Sequence, residues 1–382
     1  MKKYRLFVVI TAVYISLSIL YSLVGVSQTP KSKVILSTNP LLERIFPLEA
    51  ATEKAQSPVM FTLEAVDASG KLLENALINL EISTPKPTPW VTTDFPMVEG
   101  TKLLELEVAA LKGKLEFQQV LPIRGNYKMS VKVAPLVANA FAPYQENLNF
   151  YIRENPVKYK YFAVVASILL SIGLLGGWVI GGHEELRDGE IAPQSVRLLL
   201  SGLTVIAIVT LLFINISGEV AEAHGSEHDY KTENITPSVV KSQNLDVKID
   251  GDKNATVGKL ANFSVEVNDN MGKPIKDAVL DVKAIALEKE LTVFAYKGFP
   301  SQDGKLVWRS QFFDGAPHKV EVEVSNRQFP PIKVTQLVEV EGIQPPMLIR
   351  LISLFYLTAI VGIGMTIALL MQELRKRQLR GI

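Results

Sequence analysis

Four stretches of this chain run for about twenty residues without a single charged side chain: 6–26, 161–182, 198–218 and 351–371. Each is long enough to cross a bilayer as a helix, and a buried core helix is rarely so uniformly apolar. The expectation is a membrane protein with four transmembrane helices. The first run has a second reading, a signal peptide with Gly25-Val26-Ser27 as its small-residue cleavage site.

Lys2, Lys3 and Arg5 precede the first run, and Arg375, Lys376, Arg377 and Arg380 follow the last. By the positive-inside rule both chain ends lie in the cytoplasm, and so does the loop 183–197, leaving the two long segments 27–157 and 219–346 outside. The tail 372–382 is then a basic cytoplasmic end. The formal net charge of +1 excludes the basic face of a nucleic-acid-binding protein. The chain has no cysteine, so disulfides, thiolate metal sites and thiol nucleophiles are excluded too. A cysteine-free outer segment points to a bacterial cytoplasmic-type membrane.

The two outer segments repeat one pattern. Residues 65–80, AVDASGKLLENALINL, return as 267–282, VNDNMGKPIKDAVLDV, with Asp67, Gly70, Lys71 and Ala76 matched by Asp269, Gly272, Lys273 and Ala278. Each copy reads as strand, tight turn, strand, a β-hairpin. Alternating runs at 58–66, 76–82, 103–108, 114–120 and 127–133 in the first segment are expected strands. So are 245–249, 260–267, 278–285, 291–296, 305–312 and 319–324 in the second. Short strands with turn signals between them and no helical period predict an all-β Ig-like sandwich in each segment. Gly113-Lys114-Leu115 recurs as Gly304-Lys305-Leu306, and Pro156 before the second run as Pro346 before the fourth. The expected architecture is therefore helix–sandwich–helix in tandem duplication.

The copies part company at two insertions, and loops on a satisfied scaffold carry function. The first, at 83–100, alternates Pro85, Pro87 and Pro89 before Trp90 and Phe95. It reads either as an extended partner-docking loop or as a stiff link whose Trp90 and Phe95 cap the sandwich. The second, at 219–232, holds His224 and His228 with Glu222, Glu227 and Asp229. With Glu227, and with His318 brought in as a third ligand, this pair reads as a site for copper or zinc; the plainer reading is a solvated linker. Cleavage after Ala221-Glu222-Ala223 would expose His224 as an amino terminus able to chelate copper. His318 itself is expected in a turn before the strand at 319–324. In the second apolar run Gly173, Gly177 and Gly181 form a stripe on one helix face that lets another helix approach closely. Gly364 and Ala368 are its counterpart in the fourth.

The pattern D-x-x-G-K-[PL]-[IL]-x-[DN]-A-x-[IL], at 67–78 and 269–280, resembles the YtkA-like and FixH-like membrane-anchored sandwiches and is broadly similar to CopC-like copper binders. The resemblance implies an extracytoplasmic role near metal transport or respiratory-complex assembly. No G-x-S-x-G, P-loop, dinucleotide or zincin motif is present. The expectation is a non-catalytic membrane accessory protein that binds a divalent metal or a membrane-protein partner. Its alternative is a structural scaffold without metal.

Overall fold

In both copies of the repeated pattern an aspartate folds its carboxylate back over the turn. The Asp67 carboxylate accepts from the Ser69 and Lys71 amides at 2.8 and 3.0 Å, and Asp269 accepts from the Met271 and Lys273 amides at 2.9 and 2.8 Å. Gly70 and Gly272 follow at φ +86° and +78°, where a Cβ is strained. This geometry belongs to the computed structural model of the chain. It describes residues 31–48, 58–181 and 239–380 apart from positions 89, 92, 243, 244, 302, 327 and 328, with 193, 196–200 and 202–203 besides.

The turn does not make a hairpin. Strand β2 (Val59–Val66) lies in one sheet, and β3 (Ala76–Ser83), which follows the turn, lies in the sheet facing it. The bridges Val66–Leu72 and Asn268–Pro274 close each turn for a single residue pair. The next few residues then cross the roughly 10 Å between facing sheets. Both strands bury alternate residues, and crossing lets the two buried faces meet over the core instead of lying side by side. The linker between Leu245–Gly251 and Asn254–Thr256 behaves likewise and carries the chain from one sheet to the other.

In the first half, β1 (Lys33–Asn39), β2 and β5 (Lys114–Gln119) form one layer. Strands β7 (Tyr144–Ile152), β6 (Gly125–Pro135), β3 and β4 (Lys102–Ala110) form the other. That order is an Ig-like one. The second half repeats it with β9 (Leu245–Gly251), β11 (Leu260–Asn268) and β14 (Lys305–Gln311) facing β16 (Phe329–Glu341), β15 (His318–Asn326), β12 (Val279–Ala286) and β13 (Leu291–Gly298). Two short strands complete it: β8 (Val239–Ser242) beside β9, and β10 (Asn254–Thr256) parallel to β16.

The halves are not separate sandwiches. Strand β5 pairs with β13 and β14 with β4, so the molecule has two continuous eight-stranded sheets over one apolar core. The two seams are copies of one another. Phe117 stands opposite Tyr296 at one and Trp308 opposite Leu106 at the other; Gln119 faces Phe294, and Ser310 faces Leu104. Exchanging the halves maps each pairing onto the other, as a two-fold axis would. The ring stacks obey the same exchange, with Phe61 on Phe117 at 5.1 Å and Phe263 on Trp308 at 5.3 Å. Pairing hides two edges of each half, β5 and β4 in one and β13 and β14 in the other, that would otherwise present unpaired backbone groups.

Two helices leave the same end of this body. Helix α1 (Pro156–Ile180) follows β7, and α2 (Met347–Arg380) follows β16. Asn155 caps the first by accepting from the Val157 amide at 3.1 Å. Both are long and apolar enough to cross a membrane, and both leave large side chains such as Leu175, Trp178, Leu354 and Phe355 uncovered by protein. The first covers the second apolar run as far as Ile180, and the other contains the fourth. The run 6–26 lies outside the described residues; of the run 198–218, residues 198–200 and 202–203 are described and are helical.

Candidate functional site

The base, where β7 runs into α1, holds the loop that carries Trp90 and Phe95. Ser83 at the end of β3 pairs with Lys102 and Lys128, and Gly125 pairs with Ile152, so the 84–101 loop, the start of β6 and the end of β7 share one level.

Loop 84–101 is the larger insertion. In the second half only residues 287–290 separate β12 from β13. Its ends are sewn together: the Thr84 hydroxyl bonds the Val98 carbonyl at 2.6 Å, and the Gly100 amide donates to Pro85 at 2.8 Å. Inside it the Glu99 carboxylate accepts from the Thr93 amide and hydroxyl at 2.8 and 2.7 Å. The structure separates the two aromatic side chains. Phe95 folds back, packs against the core and meets the Phe313 ring of the other half edge-on at 5.7 Å. Trp90 stays out, 63% exposed, with Val91 beside it at 58%.

Beneath the loop lies a small charged cluster. Arg124 pairs with the largely buried Glu154, and Lys158 in the first turn of α1 reaches Asp94 of the loop at 2.8 Å. The shallow pocket they line with Leu48 and Pro122 encloses about 10 Å³, room for one water. These pairs fix the loop to the helix.

His318 is not in a turn. It is the first residue of β15, is fully buried, and stands between Ala286 of β12 and Val338 of β16. Its Nδ1 lies 2.7 Å from the Ala316 carbonyl and its ring 4.5 Å from Phe312, while Nε2 has no protein partner. Tyr127 occupies the matching place at the start of β6. Its hydroxyl donates to the Ile123 carbonyl at 2.7 Å and accepts from that residue's amide at 3.1 Å, the tyrosine corner of Ig-like folds. The shorter histidine ring reaches no such backbone pair. The strand begins one residue earlier than the turn signal Asp314-Gly315 implies, and the position it gains is a core one.

Burial holds the His318 imidazole below its ordinary pKa of 6.5, with Lys289 adding to the effect while the Ala316 carbonyl and Asp314 oppose it. Between the folded-state pKa and 6.5 the unfolded chain therefore binds the extra proton, so this contribution to stability is present above 6.5 and lost as pH falls through the folded value. Urea midpoints measured from pH 7.5 down to pH 5 should decline more steeply in the natural protein than in a His318→Phe variant. A constant offset between the two would remove the histidine as the cause.

Gly173 and Gly177 of α1 face α2. A Cβ at Gly173 would strike the Val361 carbonyl, and one at Gly177 would lie 2.5 Å from the Met365 carbonyl and 2.8 Å from the Ala368 Cβ. Gly364 meets the Leu170 carbonyl in return, and Gly181 sits against Gln372, whose amide donates to the Trp178 carbonyl at 2.8 Å. The contacts advance in the same direction along both helices, so the pair is parallel. The stripe and its counterpart at Gly364 and Ala368 thus pack within one chain.

His224, His228 and Glu227 lie outside the described residues. Among the described residues no group of three side chains is placed to hold a metal ion. No family model and no curated protein matches the chain. Solved structures similar to it include a CARDB domain from Pyrococcus furiosus in complex with di-metal ions, at 14% identity over 28% of this chain and all of that one, TM-score 0.21. Invasin, a bacterial integrin-binding protein, is 7% identical over 80% of this chain and 40% of its own, TM-score 0.20. The Yersinia pseudotuberculosis adhesin InvE is 6% identical over 82% and 61%, TM-score 0.19.

Proposed function

We propose that this is a non-catalytic accessory protein of a bacterial cytoplasmic-type membrane, and that its fused double sandwich is a rigid extracytoplasmic platform for a membrane-protein partner. The observation that carries this reading is the pair of matching seams. They make one body of two sandwiches, and two parallel apolar helices leave it from one end. Helices whose large side chains are uncovered by protein gain from lipid, and a glycine-packed parallel pair anchors the platform at two adjacent points. On this reading the runs 6–26 and 198–218 supply two further spans, and both termini are cytoplasmic. The paired seams and the repeated turn support an origin by tandem duplication.

A second reading assigns the platform to copper or zinc handling. It is favoured by the placement of His224, Glu227 and His228 in a segment that the first half lacks. Two measurements on the full chain separate the readings. Photocrosslinkers at exposed positions around the platform, Tyr151 and Val307 among them, should yield one discrete adduct from one face in native membranes. Adducts from no position would overturn the partner reading. Titration with Cu(II) and Zn(II) against His224→Ala/His228→Ala should show no difference if the platform serves a partner alone. Micromolar binding abolished by the pair of substitutions would establish the metal reading.

A further inference from the structure

We propose that Trp90 and Val91, at the tip of loop 84–101, form a membrane foot that enters the headgroup–acyl boundary beside α1 and props the platform at a fixed angle. This inference rests on the membrane reading above.

Position comes first. The Asp94 carboxylate is held 2.8 Å from Lys158 in the first turn of α1, and the Arg124 guanidinium donates to the Val91 carbonyl at 3.4 Å. The tip is thereby fastened at the level where the helix begins. The α1 residues that follow, Tyr159, Tyr161 and Phe162, are 64%, 55% and 59% exposed. Aromatic side chains collect at the membrane–water boundary, where an apolar ring and a polar edge are both accommodated. Trp90 adds an indole to that belt from a separate element.

Selective exposure is the second observation. The same loop buries Val98 and packs Phe95 and Met97 against the core, so it has an apolar floor available and keeps Trp90 off it. Trp90 and Val91 are adjacent and exposed at the level where α1 exposes Tyr159, Tyr161 and Phe162, and it is grouped rather than scattered apolar side chains that mark a contact surface. The loop is also stiff. Thr84, Thr93 and Glu99 bond it internally, and the Pro85 ring lies against Gly125, where an added Cβ would come within 2.8 Å. A tip held this way enters a boundary without losing further freedom.

Asymmetry supplies the consequence. The second half has only residues 287–290 at the matching place, so the foot stands on one side of the pseudo-two-fold axis. The platform therefore leans, and it presents one face of the sheets to whatever stands beside it in the membrane.

The chain has no cysteine, so single-site labelling is clean. The full chain would be reconstituted in phosphatidylcholine/phosphatidylglycerol vesicles with an environment-sensitive fluorophore at Val91→Cys, Leu175→Cys or Met271→Cys. Leu175 is 69% exposed within α1, and Met271 is 95% exposed on the turn at the opposite end of the sandwich. Headgroup-borne nitroxide should quench the label at 91, chain-borne nitroxide the label at 175, and aqueous iodide alone the label at 271. If 175 is quenched by the chain-borne probe while 91 remains open to iodide and untouched by lipid, the foot is overturned and the membrane reading stands. A label at 91 shielded from both lipid and iodide would assign the tip to a second copy and overturn it too. If chain-borne nitroxide leaves 175 untouched, the membrane reading fails and the foot fails with it.

Discussion

Replacing Trp308 with alanine should destabilise both halves of the platform together, by about 3–5 kcal/mol. Trp308 is 1% exposed on β14, stacked on Phe263 at 5.3 Å and 6.4 Å from Phe294. Its Nε1 has no protein partner, so the loss is one of packing and not of a hydrogen bond. Strand β14 pairs with β11 on one side and with β4 of the other half on the other, which puts the cavity at a seam. The salt bridge from Arg309 to Glu105 at 3.0 Å crosses that seam on its solvent face. Exposed pairs contribute little, so beyond its backbone ladder the seam depends on apolar contact. Urea unfolding of the full chain in micelles, followed by amide exchange in each half, is the measurement. The natural protein should unfold in one transition, and Trp308→Ala should lower protection of β3 and β6 as well as β11. Unchanged protection in the first half would mean that the sheets unzip at the seam and that the halves are independent domains.

How much of this was legible in the sequence follows from what periodicity reports. Alternation located β2–β6, β9 and β11–β15, because every one of them buries one face. It missed β1 and β7, whose outer-edge residues are largely half exposed, and β16, where Pro330-Pro331 reads as a breaker. A strand at the margin of a sheet tolerates proline, and its pattern is blurred by solvent. Alternation also states that a face is buried without stating what covers it. The repeated turn therefore reads as a hairpin, and it is a crossing between sheets. Nothing in the sequence announced the seams either. Gln119, Ser310 and Gln311 sit buried there and look like surface residues on paper. At the base the insertion at 83–100 was legible as an insertion, but both of its aromatics were assigned one fate. The distinction is long-range: Phe95 finds Phe313 of the other half, more than two hundred positions away, while Trp90 has Lys158 and Arg124 beneath its loop. Glycine spacing was the most informative of the local signals, since a close helix approach demands small residues at fixed intervals.

Gly173→Leu should separate the helix pair, at a cost of about 1–3 kcal/mol for forcing a branched side chain into a closed contact. The site cannot adjust cheaply. What a side chain at Gly173 meets is the Val361 carbonyl and, at 3.1 Å, the Gly364 Cα, both of them backbone. Because exchange of the halves maps Gly173 onto Gly364, where an added Cβ would strike the Leu170 carbonyl and come within 3.2 Å of the Gly173 Cα, Gly364→Leu should do the same damage. Gly362 has nothing within 4 Å, so Gly362→Leu on the same helix should be silent. The readout is the separation of two spin labels in a chain that has no cysteine. Leu175→Cys on α1 and Leu370→Cys on α2 are 69% and 58% exposed and leave the glycine contact untouched. Their close separation should survive in lipid with Gly362→Leu and be lost with Gly173→Leu or Gly364→Leu. If it survives all three, the sheets alone hold the helices together and the glycine stripe is incidental. If it is lost and the seams keep their unfolding midpoint, the helices are a separate joint, free to part beneath a platform that stays whole. Loss of both together would mean that one axis runs through sheets and helices alike. The last outcome is the expected one, since α1 and α2 continue almost directly from β7 and β16, and Asp94 ties the 84–101 loop to Lys158 of α1.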